Sequence, residues 1–190
     1  TDGKLFASGL NSHGQLGDGS TQNSRQFLQV GSDTDWIEAS AGAHHSVGLR
    51  EDGTVWTWGG NSLGQLGNNT MYDKHVPKKI GTNFLCSTIA SGYDHVLAIR
   101  TDGTLWTWGL NPTDRTVQNH PALINRETDW ATVSAGLDHS LALKNNGSLW
   151  AWGQNSAGHL GTGTTADEPD PVQISPGTTW VQVRAGKLCS

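Results

Sequence analysis

Histidine recurs in this chain at one register. His45, His95 and His139 each stand three residues past a glycine, in Gly42-Ala43-His44-His45, Gly92-Tyr93-Asp94-His95 and Gly136-Leu137-Asp138-His139. In a fourth copy, Gly186-Lys187-Leu188-Cys189, a cysteine takes the place of the histidine. With 8 His and 17 Asp plus Glu in 190 residues, metal binding and acid–base catalysis are the first chemistries to consider. Metal ligands must gather within about 2 Å of one ion, whereas side chains that recur once per repeat are carried on separate structural units. The three histidines are therefore expected to be structural, each ring hydrogen-bonded to a neighbouring backbone group, with no metal. His44 falls outside the repeat, and nothing in the sequence orients it.

The remaining chemistry-bearing residues point the same way. Cys86 stands where three other copies carry Trp, and Cys189 where they carry His. Such unlike positions on nonadjacent units do not meet the Cα separation of about 5.5 Å that a disulfide needs, so both read as single substitutions. Gly17-Asp18-Gly19 and Gly161-Thr162-Gly163 open no helix and so lack the donor array of a phosphate loop. No Gly-x-Ser-x-Gly stretch sits on a strand-to-helix turn as a nucleophile elbow does, and no His-Glu-x-x-His pair occurs; these are the signatures of two common hydrolytic centres. The expectation is a protein that is not an enzyme and uses no cofactor.

The elements that carry these residues repeat with them. Asp2-Gly3, Asp52-Gly53, Asp102-Gly103 and Asn146-Gly147 place turn glycines 50, 50 and 44 residues apart, and such dipeptides between alternating apolar runs mark β-hairpins. After each turn comes an alternating segment: Leu5-Phe6-Ala7-Ser8-Gly9, Val55-Trp56-Thr57-Trp58-Gly59, Leu105-Trp106-Thr107-Trp108-Gly109 and Leu149-Trp150-Ala151-Trp152-Gly153. Residues two apart in a strand share a face. Trp56 and Trp58, Trp106 and Trp108, and Trp150 and Trp152 should thus point together and lie buried between neighbouring units. Strands are also expected before each turn (Ser46 to Leu49, Val96 to Ile99, Ser140 to Leu143) and upstream of that (Trp36 to Gly42, Cys86 to Gly92, Trp130 to Gly136, Trp180 to Gly186). A short apolar segment ends each unit (Phe27 to Val30, Val76 to Ile80, Ala122 to Ile124, Val172 to Ile174). Four strands per unit of this length is the pattern of a β-propeller blade. The chain is read as all-β, a single propeller segment over residues 1–190 with about four blades of four antiparallel strands. The third unit departs from the rule: it lacks the Gly14-Gln15-Leu16-Gly17 type of turn also seen at 64–67 and, as Gly-His-Leu-Gly, at 158–161.

Composition excludes several partners. A formal net charge of −5 and no basic run leave no stripe to displace counterions from phosphates, so nucleic acid is not expected. No apolar run approaches the roughly 20 residues of a membrane-spanning helix. The compartment stays open.

The combination of Ala-Gly-x-x-His, Asp-Gly-x-x-x-x-Trp-Gly and Asn-x-x-Gly-Gln-Leu-Gly resembles the regulator of chromosome condensation repeat family. That resemblance covers essentially the whole chain and implies a seven-bladed ring. Seven units at this period need about 350 residues, so the ring is expected to be completed by further sequence or by another subunit. The family implies no single activity, since its members include a guanine-nucleotide exchange factor, plant ultraviolet-B receptors, a secreted bacterial β-lactamase inhibitor and modules of ubiquitin ligases. The photoreceptors carry Gly-Trp-Arg-His-Thr at the corner, and no corner of this chain has that Trp or Arg.

Function should reside where the repeats disagree, because agreement is imposed by the fold. The residues between Gly and His are the main such set. His44, Tyr93, Asp94, Leu137, Asp138 and Lys187 should ring one face and bind a protein partner, which makes the chain an interaction or scaffold module, read as a secreted or surface-exposed bacterial binder or as a scaffold in a larger protein. Two other readings are a carbohydrate or small-molecule site in an inter-blade pocket and, more narrowly, exchange activity on a small GTPase.

Overall fold

The turn dipeptides set the local structure. Gly53, Gly103 and Gly147 adopt φ of 78°, 81° and 79°, a region that a side chain disfavours. Asp52 Oδ1 closes its turn by accepting from Thr54 N at 2.9 Å. Thr54 Oγ1 then accepts from Trp56 Nε1 at 2.9 Å, and Thr104–Trp106 and Ser148–Trp150 repeat that bond at 2.8 and 3.0 Å.

The computed structural model describes residues 2–187 and 189–190. Its fourteen strands contain one two-stranded sheet, β1 (Phe6–Gly9) with β2 (Ser24–Gln29), and three complete blades. Blade A is β3 (Trp36–Ala41), β4 (His45–Arg50), β5 (Val55–Gly59) and β6 (Lys74–Lys79). Blade B is β7 (Cys86–Ser91), β8 (His95–Arg100), β9 (Leu105–Leu110) and β10 (Val117–Leu123). Blade C is β11 (Trp130–Ala135), β12 (His139–Lys144), β13 (Leu149–Gly153) and β14 (Glu168–Ile174). Every neighbouring pair is antiparallel, and no helix occurs among the described residues. The fold is an all-β propeller whose described sheets do not close into a ring.

The expected four or so units are three four-stranded blades plus the β1–β2 pair. One detail corrects the sequence reading. Trp180 to Gly186 forms no strand, although Val183 is buried against blade C; a ladder needs a second strand, and none pairs with this segment among the described residues.

Blades stack by a repeated match of unlike faces. Val47, Leu49, Val55 and Ile80 of blade A pack on Cys86, Ala98 and Trp108 of blade B. Leu97, Ile99 and Leu105 of blade B pack in turn on Trp130, Ala142 and Trp152 of blade C. Side-chain hydrogen bonds tie the inner strands together: Ser91 N donates to Ser40 Oγ at 2.8 Å, and Ala185 N to Ser134 Oγ at 2.9 Å.

The tryptophan pairs divide. Trp58, Trp108 and Trp152 are buried between sheets, whereas Trp56, Trp106 and Trp150 are only half-buried. The shared face places both Trp correctly, but the first lies beside the hairpin turn, where the neighbouring sheet leaves it part of its surface. There it meets a cation just ahead of the turn. The Arg50 guanidinium lies 3.9 Å from the Trp56 ring centre and 4.6 Å from that of Trp36. Lys144 sits in the same way by Trp150 and Trp130, at 4.8 and 5.0 Å. Where Cys86 replaces the tryptophan of β3, Phe84 takes over its packing, 5.5 Å from Trp106 and 6.0 Å from Trp108.

Candidate functional site

Each Gly-x-x-His segment is the corner between the first and second strands of a blade. Gly42 N donates to the His45 carbonyl at 2.8 Å, and Gly92, Gly136 and Gly186 repeat the bond at 2.8, 2.9 and 2.8 Å. Glycine is required because the histidine ring lies against it: a Cβ on Gly42 would collide with the His45 imidazole and stand 2.7 Å from the Gly92 carbonyl. Corners also bond from blade to blade, Ala43 N to the Tyr93 carbonyl at 3.0 Å and Tyr93 N to the Gly136 carbonyl at 3.2 Å.

This arrangement separates the two variable positions of the corner. The first of each pair, Ala43, Tyr93, Leu137 and Lys187, converges with Ala41, Ser91, Ala135 and Ala185 on one shallow depression of about 480 Å³. Tyr93 is 48% exposed there and Lys187 is exposed. The second of each pair, His44, Asp94 and Asp138, does not line that depression. Their carbonyls accept from Gly60, Leu110 and Gln154, and their side chains are half-buried. Burial raises the Asp94 carboxyl above the usual range, and Asp138 adds to this while His44 and Arg115 oppose it. Arg115 stands 3.6 Å from Asp138. The expected set thus resolves into an inner group and an outer acidic one; Leu188, beside Lys187, lies outside the described residues.

The repeated histidines occupy the interior. Burial first, and then a neighbouring histidine, pushes His45 down to about 3 and His95 and His139 down to about 4. Where the sequence led to an expected backbone partner, two of the three rings meet a serine hydroxyl of the following unit: His95 Nε2 meets Ser140 Oγ at 3.1 Å, and His139 Nε2 meets Ser190 Oγ at 3.2 Å. Val96 stands at that register opposite His45, whose ring nitrogens have no partner among the described residues. Both cysteines are free thiols, and burial raises Cys86 to about 12. Among the described residues, no three His, Cys, Asp or Glu side chains gather as a metal ion would require.

Sequence reasoning counted Asn11 and Asn61 in the repeat motif but assigned no role to them or to Asn155; all three are fully buried. Each accepts from the leucine N of its Gly-x-Leu-Gly turn, at 2.9, 3.0 and 3.0 Å, and so holds that turn in place. Their recurrence was the available signal.

The repeat motif matches the family model described as "Regulator of chromosome condensation (RCC1) repeat" over residues 2–49, 52–99 and 146–190. A second model of the same description matches 36–65 and 130–158. The chain belongs to the RCC1 repeat family. Among solved structures, the RCC1 protein Prp20p of Saccharomyces cerevisiae aligns with a TM-score of 0.82 at 22% identity, over 97% of this chain and 50% of that one. Yeast RCC1 bound to Kap60 gives 0.81 at 22%, over 97% and 48%. Human WBSCR16 gives 0.66 at 21%, over 98% and 66%. The chain therefore spans between about half and two thirds of the length of these three proteins. No curated protein matches it. Residues 100–129, which include the unit without the Gly-Gln-Leu-Gly turn, fall outside both family matches.

Proposed function

We propose that this chain is a non-catalytic interaction module that binds a protein partner through the corner face carrying Tyr93, Leu137 and Lys187. The observation that carries the reading is an exposed tyrosine beside a leucine and a lysine on a backbone bonded from blade to blade. Aromatic anchors on a rigid support dominate protein interfaces, because little entropy is lost when they dock. The yeast RCC1 structure is of a complex with a protein, Kap60, which is consistent with this use of the fold.

One pair invites a catalytic reading. Ser140 Oγ and His95 Nε2 are within the reach of a nucleophile and its base,. The same pair recurs as Ser190 with His139 at the next unit, so we read it as an inter-blade tie.

The test is site-specific photo-crosslinking in lysate of the source cell, with the probe at position 93 and, as a control, at position 27 on β2. The reading expects one protein adduct from position 93, lost in Leu137→Asp, and none from position 27. Equal labelling from both positions would overturn it.

A further inference from the structure

The junction between blades B and C lacks a part that the other junctions possess. Where β1–β2 meets blade A, the Gly14–Gly17 turn covers Trp58, and the Gln15 carbonyl accepts from Trp58 Nε1 and from Ser46 Oγ, both at 2.9 Å. Between blades A and B, the Gln65 carbonyl accepts from Trp108 Nε1 at 3.0 Å. Leu66 is fully buried beside it, and its carbonyl accepts from Thr57 Oγ1 at 2.7 Å. After blade C, Ser190 Oγ donates to the His159 carbonyl at 2.7 Å while meeting His139 Nε2. One carbonyl and one leucine thus fill the same place at each junction that has the turn.

Between blades B and C the chain reads Asn111-Pro112-Thr113-Asp114-Arg115-Thr116 and turns back on itself. Arg115 N donates to the Asn111 carbonyl at 3.1 Å with Arg115 at φ 61°, and Thr113 N donates to Asn111 Oδ1 at 2.9 Å. Trp152 donates to no protein acceptor among the described residues, unlike Trp58 and Trp108. Thr107 Oγ1, the counterpart of Thr57, donates to the Val96 carbonyl of its own blade at 3.0 Å. What remains is a cavity of about 220 Å³ whose lining includes Trp152, Ser140, His95, Thr107, Pro112 and Ala122. Thr116, Pro169 and Asp170 also line it and are exposed, which gives it a mouth.

We propose that this cavity is a binding site for a neutral, peptide-like ligand carrying a branched aliphatic group of leucine size beside a carbonyl. The carbonyl oxygen takes the place of the Gln65 carbonyl, accepting from Trp152 Nε1 and Ser140 Oγ. The aliphatic group takes the place of Leu66. With its proton on Nε2, His95 donates to Ser140 Oγ, 3.1 Å away, and that tautomer leaves the hydroxyl proton for the ligand. The size suffices, since an apolar cavity of about 150 Å³ accommodates benzene. Charge argues for neutrality: His95 is uncharged near pH 7, and Asp170 at the mouth disfavours a free carboxylate. This site is separate from the corner face and stands or falls independently of it.

The test uses the whole chain with N-acetyl-leucinamide as probe, followed by NMR of the indole N–H resonances, that of Trp152 being assigned through Trp152→Phe. The expected result is a saturable downfield shift of the Trp152 resonance, with those of Trp58 and Trp108 still. Ser140→Ala should weaken the affinity at least threefold, and Tyr93→Ala should leave it unchanged. Replacing 111–116 by the sequence of 61–67 should abolish the shift by filling the cavity; should that graft not fold, the parent titration and Ser140→Ala decide alone. No saturable shift up to the solubility of the probe would overturn the proposal. So would an equal response to N-acetyl-glycinamide, or saturation by glucose in place of the amide.

Discussion

The junction between blades A and B and that between blades B and C are built from the same strands, yet they are finished differently. At the first, Trp108 is enclosed by Val47, Leu49 and Val55 on one side and by the Gly64–Gly67 turn on another, with its indole N–H on the Gln65 carbonyl. At the second, Trp152 packs on Leu97, Ile99 and Leu105 in the same manner, but the turn is replaced and a cavity stands in its place. The sheets stack equally well in both. Stacking is therefore set by the alternating faces of the strands, and the turn is an independent plug that a unit can lose without losing the blade.

The largest test of this contrast is removal of the two indoles. Trp108→Ala should cost about 3–5 kcal/mol in chemical denaturation, and Trp152→Ala only the bottom of that range, about 3 kcal/mol, because part of its surroundings is already empty. Equal losses would break the comparison. Next comes the plug itself. Leu66→Ala should cost about 2–4 kcal/mol, while Pro112→Ala, in the segment that replaces the turn and lines the cavity, should cost less than about 1 kcal/mol.

The histidine ties sharpen the comparison further. Ser140→Val would leave His95 as His45 is now, facing valine, at a cost of about 1–3 kcal/mol for an unpaired buried polar group. All three histidines have folded values well below the ordinary 6.5, so the unfolded chain takes up protons that the folded one refuses,. Their contribution is complete above about pH 6.5 and is lost as the pH falls toward 4. Thermal melting followed across that window should show stability declining with acid in the parent and in Ser140→Val alike. A stability flat from pH 7 to 4 would place the histidines in contact with water. The smallest effect concerns the hydroxyls. Thr57→Val removes a bond to the buried Leu66 carbonyl and should cost about 1 kcal/mol. Thr107→Val, whose bond stays within its own strand pair, should cost visibly less.

Much of the fold was legible in the residues. Asp-Gly and Asn-Gly marked the hairpins, alternation assigned the tryptophans to one face, and the period of the motif specified blades. The corner set was legible as a list, since Tyr93, Leu137 and Lys187 stand where repeats disagree. Its division into an inner group and an outer acidic one was not, because alternate residues of a tight corner diverge by an amount that only backbone geometry determines. The histidine partners were misread for a related reason. Ser140 lies 45 residues from His95, so no local pattern connects them.

Sequence alone determined the architecture of this protein, because hairpin turns and two-residue alternation are local properties that repeat with the chain. It also showed that the third unit had lost its Gly-Gln-Leu-Gly turn, but it gave that loss no meaning beyond a shorter spacing. Only the tertiary structure decided that the lost turn had filled the space over the next blade's tryptophan. A cavity is a property of two surfaces brought together from distant parts of the chain, and its shape depends on side chains that never neighbour one another in sequence.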